Sequence, residues 1–126
     1  MDQTVERLNS QPVDIYAVPT YLPVSMRAEA DQLWTDGRIS KLIDALVKNQ
    51  VAIEINATEQ LPSQAFIERA KRAGCKFGFG TANKSITELK RSEYGLQIVE
   101  ACKLSWQDFF VPGAWWPKAV DRRWPA

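Results

Sequence analysis

The chain contains no histidine. That absence removes the commonest general base and the commonest transition-metal ligand. It also removes every Ser-His or Cys-His nucleophilic pair, so a metal held here would have to be bound by carboxylates and carbonyls alone. Cysteine is scarce as well: there are two, Cys75 and Cys102, each set among apolar residues with no metal spacing around it. Buried, reduced thiols are expected of both rather than a disulfide. Neither sign of charge is in excess, with 16 Lys and Arg against 15 Asp and Glu for a formal net charge of +1. That balance gives no case for nucleic acid or another polyanion as partner. No apolar run approaches the roughly 20 residues that cross a bilayer, so no membrane partner is expected. The polar start MDQTVERLNSQ lacks the form of a signal peptide. The expected location is the cytoplasm by default.

What is present, 126 residues, suffices for a single domain with a modest core. Its organisation turns on the run VAIEINATEQLPSQAFIERAKRAGCKFGFGTANK at 51–84, which reads as strand, loop, helix, strand, loop. Before it, Val5 and Leu8 share a helix face that Asn9, Ser10 and Pro12 interrupt. Residues 13–18 form a strand ended by Pro19, and Pro23 keeps the next loop extended. Residues 26–33 are only weakly helical. Thr35 is a good N-cap with Asp36 in the first turn. Ile39, Leu42, Ile43, Leu46 and Val47 then follow the spacing of one buried helical stripe that Asn49 closes. In the strand at 51–56, alternation sends Val51, Ile53 and Ile55 to one face, and Ala52, Glu54 and Asn56 to the other. Pro62 suits the first turn of the following helix, with Ser63 beside it. Phe66, Ile67, Ala70 and Ala73 make that helix's apolar stripe, and Gly74 stops it. Residues 76–81 are a short strand. Ser85 and Glu88 have capping-box form ahead of a helix carrying Leu89, Tyr94, Ile98, Val99 and Cys102. Gly95 inside it implies either a close neighbour or a helix in two pieces. Ser105 to Asp108 can make a short helical turn, and the tail at 113–126 is irregular.

Strictly alternating strands and helices mean right-handed βαβ units and a parallel sheet. The expected fold is α/β, a partial TIM-like (β/α) barrel with three parallel strands. A site in such a fold lies at the carboxyl ends of the strands, where Glu54, Asn56, Thr81, Asn83 and Lys84 fall. Three strands also leave two sheet edges open, so self-association through them is expected.

The runs VDIYAVPTYLP, VAIEIN, LPSQAFIERAKRAGCKFGFGTANKS and EYGLQIVEACKLSWQDFFVPG resemble, in this order, the C-terminal part of the PHP-domain (polymerase and histidinol phosphatase) proteins. The resemblance covers residues 5–113. It implies a distorted (β/α)7 barrel and a phosphoester-hydrolysing centre of two or three divalent ions, often zinc, manganese or iron. It also implies that the family's first histidine motif would lie upstream of Met1. Two departures bear on the chemistry. Val18 stands where the family often has histidine. Gly80, Thr81, Ala82, Asn83 and Lys84 stand where it usually has a Gly-Thr-Asp-x-His pattern with metal-binding Asp and His. Ala82 cannot ligate, and Lys84 repels a dication. The chain is therefore expected to bind no metal cofactor and to be inactive alone. The other reading is a non-catalytic α/β module that binds an anion or a partner.

Individual residues keep two roles open. Glu54 is the one candidate catalytic group, orienting substrate or handling a proton; alternatively it is a structural carboxylate. Asn56 holds a substrate oxygen or caps the following turn. Thr81, Asn83 and Lys84 form a subsite for a small anion or phosphoester beside the helix N-terminus at Ser85, or Lys84 is simply solvated. Asp14, early in its strand, is expected to be structural. Trp106, Phe109, Phe110, Trp115 and Trp116 are expected to close one end of the barrel.

Overall fold

A computed structural model of the chain describes residues 2–80 and 93–111. The chain opens with helix α1 (Asp2–Ser10) and strand β1 (Ile15–Tyr16), followed by a 3-10 segment (Val24–Glu29) and a single turn, α2 (Ala30–Leu33). Helix α3 (Asp36–Lys48), strand β2 (Ala52–Asn56), helix α4 (Gln64–Ala73) and strand β3 (Phe77–Gly80) complete two β-α-β units. Helix α5 (Glu93–Ala101) and a 3-10 turn (Trp106–Asp108) come last.

The helix ends are fixed by local chemistry. Thr35 Oγ1 accepts from the Arg38 amide at 3.4 Å and Ser63 Oγ accepts from the Phe66 amide at 3.3 Å, each satisfying a donor that the first turn leaves orphaned. Ser63 is thus the N-cap of α4, and Pro62 precedes the helix instead of lying in its first turn. Gly74 ends α4 at φ 95°, a left-handed conformation that costs glycine nothing and an L-residue about 1 kcal/mol or more.

The three strands are parallel, in the order β1-β2-β3. Paired residues share a face. Ile53 lies beside Phe77, Ile55 beside Phe79, Glu54 beside Gly78 and Asn56 beside Gly80. Ile53, Ile55 and Phe77 are fully buried and join Leu42, Leu46, Ile67, Ala70 and Ile98 in one core. Helices α3, α4 and α5 therefore cover a single face of the sheet, with α1 packed on α3 and α3 on α4. The opposite face carries Ile15, Ala52, Glu54, Gly78 and, at the carboxyl end, Asn56 and Gly80.

Two expectations need correction. The first strand is two residues long, not six, because Val18 and Thr20 turn into the left-handed region at φ 45° and 63°. The outer edge of β3 is engaged: the Phe110 amide donates to Phe77 O at 2.8 Å, and Phe109 pairs with Phe77 in a parallel bridge. Val51, Ile53, Ile55 and Phe77 are buried beneath helices. Phe79 is the exception, 59 % exposed, with its ring 5.0 Å from that of Phe109. The sheet is open, and closure into a TIM-like barrel is not part of the described structure.

Candidate functional site

Strand β2 delivers two polar side chains to the carboxyl rim because its alternation places Glu54 and Asn56 opposite the buried Ile53 and Ile55. Both are tied to the backbone around them. Glu54 Oε2 accepts from the Val18 amide at 2.6 Å, and Glu54 Oε1 accepts from Asn56 Nδ2 at 3.1 Å. Asn56 Oδ1 accepts from the Glu59 amide at 2.8 Å, capping the turn that follows β2. The same turn is pinned by the Asn56–Leu61 backbone pair, 2.7 and 3.2 Å, and by the Ala57 amide donating to Gly80 O at 2.9 Å. Asn56 is fully buried, and a side chain so placed has no surface to offer a substrate.

The Glu54 carboxylate holds Val18, a β-branched residue at φ 45°. Such a residue is a genuine outlier there and persists only where its surroundings over-determine it. A charge-assisted bond from a carboxylate to that amide is a strong enough constraint to do so. Above it, Arg27 joins the loops after β1 and β2. Its Nη2 lies 3.4 Å from Glu59 Oε2, its Nε donates to Leu22 O at 3.1 Å, and its guanidinium sits 5.9 Å from the centre of the Tyr21 ring.

Gly80 completes the rim. An added Cβ at position 80 would stand 1.7 Å from Glu54 Oε1, so the carboxylate occupies the space a side chain would need. At Gly78, on the same face, an added Cβ would meet nothing within 4 Å. Thr81, Asn83 and Lys84, expected to bind an anion, lie outside the described residues, as do Ala82, Ser85, Trp115 and Trp116.

The divalent metals implied by the resemblance do not fit the rim as described. Glu54 has both oxygens engaged, its neighbour on the face is a carboxamide, and among the described residues no group of three or more His, Cys, Asp or Glu could hold an ion. Neither thiol joins the rim's hydrogen bonds: Cys75 follows α4, and Cys102, just past the end of α5, lies against Gln64 O. Burial pushes the Cys75 thiol up to about 11 and raises that of Cys102.

Glu54 and Asn56, which the sequence singles out, lie at the carboxyl end of β2. The Val18 amide, Gly80 as the space for the carboxylate and the Arg27–Glu59 link are not visible in the sequence. The paired glycines of FGFG are the one signal that pointed toward Gly80. Compared with protein-family models, characterised proteins and solved structures, the chain matches none.

Proposed function

We propose that this chain is the late part of a PHP-like (β/α) barrel whose rim carboxylate has become a strut, leaving the chain without hydrolytic chemistry of its own. The observation that carries this reading is the double engagement of Glu54, with the Val18 amide at 2.6 Å and Asn56 Nδ2 at 3.1 Å. A general acid or base must lie within hydrogen-bond reach of the proton it moves on the substrate. A carboxylate held by two donors against a strained backbone serves the loops instead. Supporting the barrel reading, the strands run in chain order and the described helices α3, α4 and α5 lie on one face. That is how one wall of a (β/α) barrel is built, whereas a doubly wound sheet reverses its strand order and covers both faces. No described helix is long and apolar enough to cross a membrane, and a cytoplasmic setting belongs to the same reading.

The test is metal analysis of the purified chain with a phosphoester assay supplemented with manganese or zinc. We expect no stoichiometric metal and no metal-stimulated hydrolysis. Glu54→Gln should lower stability by about 1–3 kcal/mol, the range for a disturbed buried hydrogen bond, and change no rate. Hydrolysis that either metal stimulates and Glu54→Gln abolishes would overturn the reading.

A further inference from the structure

A cleft of about 410 Å³ opens between α2, the start of α3 and helix α4, with Thr20 and Leu61 also on its wall. We propose that it is a binding site for an apolar α-amino acid, held as its zwitterion. The volume lies within the range of small-molecule sites, which are mostly apolar with a few placed polar groups. Trp34, Ile39, Leu61 and Phe66 supply the apolar wall. Four charged side chains also line it, and they divide into two kinds. Asp36 and Arg69 satisfy each other: Arg69 Nη1 lies 3.1 Å from Asp36 Oδ1, and its Nη2 donates to Asp36 O at 3.2 Å and to Ser40 Oγ. Arg72 and Asp31 are exposed and enter no ion pair among the described residues.

The cleft therefore presents one unpaired cation, one unpaired anion and an apolar wall. A simple anion would satisfy Arg72 and be opposed by Asp31, and a simple cation would meet the reverse. A molecule carrying a carboxylate, an ammonium and an apolar body meets all three. Trp34 is the cleft's aromatic wall, and its buried indole N–H has no hydrogen-bond partner among the described residues, which leaves it sensitive to what packs against the ring. Trp34 also borders a second cleft, of about 420 Å³, where Asp2, Arg38 and Lys41 sit. There Asp2 already pairs with Lys41, and the wall is largely charged.

The experiment uses L-phenylalanine as probe on the full chain, followed by the indole N–H resonances of its 5 tryptophans. Trp34→Phe identifies the Trp34 signal by its loss. We expect a saturable shift of that signal, with 3-phenylpropionate and phenethylamine binding more weakly because each lacks one charge. Arg72→Gln and Asp31→Asn should each weaken L-phenylalanine binding about tenfold, the equivalent of one charged hydrogen bond, and Arg38→Gln should leave it unchanged. An unmoved Trp34 signal at millimolar phenylalanine overturns the proposal. So does binding of 3-phenylpropionate as tight as that of phenylalanine, or a loss on Arg38→Gln equal to that on Arg72→Gln. None of these outcomes depends on whether Glu54 is a strut.

Discussion

An alanine at position 80 would bring its Cβ within 1.7 Å of Glu54 Oε1 and 2.5 Å of Glu54 Cδ. The carboxylate sits at the far end of a flexible side chain, so it can retreat, but only by giving up the Val18 and Asn56 donors. Gly80→Ala is therefore expected to destabilise by about 1–3 kcal/mol, measured by urea unfolding. In a Glu54→Ala background most of that cost should vanish, since the space is then free; additive costs would show that Gly80 and Glu54 are not coupled. Cys75 gives a second prediction at this scale. Burial pushes its thiol from 9.0 up to about 11 in the folded chain. Between those values the unfolded chain has already lost the proton that the folded chain keeps, so stability is full below pH 9 and falls as pH rises toward 11. Two pH units correspond to about 2–3 kcal/mol. Tyr16 and Tyr94, also raised by burial, act in the same direction at higher pH. Cys75→Ala should flatten the decline between pH 9 and 11, and an unchanged slope would assign the effect elsewhere.

Helix α5 joins the rest of the structure through particular contacts more than through a broad stripe. Ile98 enters the core, Tyr94 Oη donates to Pro62 O, and Lys71 of α4 donates to Cys102 O at 3.1 Å and Lys103 O at 2.8 Å. A lysine on the turn just past a helix satisfies carbonyls that the helix leaves unpaired and places a positive charge at the negative end of its dipole. Gly95 is explained at this scale: an added Cβ would stand 2.7 Å from the Phe79 ring. Because Phe79 is 59 % exposed, the ring can swing away. Gly95→Ala gains about 1 kcal/mol of helix propensity and loses the Phe79–Phe109 contact, about 0.5–1.5 kcal/mol for an aromatic pair. Near-neutrality is expected in the parent chain and a clear gain, about 1 kcal/mol, in a Phe79→Ala background. Calorimetric melting of the four variants checks it, and equal effects in both backgrounds would sink the argument.

At the scale of the whole molecule, helices cover one face of a three-stranded sheet and Phe110 engages one of its edges. In the barrel reading, further strands add beside β1, where Ile15 is 44 % exposed, so a second copy at that strand is the form self-association should take. Sedimentation at micromolar concentration is expected to show a dimer or larger species that Ile15→Lys returns to monomer; a compact monomer of the parent chain would refute it. The sequence by itself determined helices α3 and α4 and strands β2 and β3, because their signals are local. Apolar spacing selects the buried face, Thr35 and Ser63 cap the helices they precede, and Gly74 ends a helix in a conformation suited to glycine. Alternation also put Glu54 and Asn56 on the rim. Only the tertiary structure decided what those residues do. Val18 leaves the strand because a carboxylate 36 positions away holds its amide. Phe109 extends the sheet through a single bridge, too short for any periodicity to register. The cleft at Trp34 gathers Asp31 of α2, Ile39 of α3, Leu61 of the loop after β2, and Phe66 and Arg72 of α4. Spacing along a chain encodes the face on which a residue lies, whereas partners distant in sequence are set by how the faces pack.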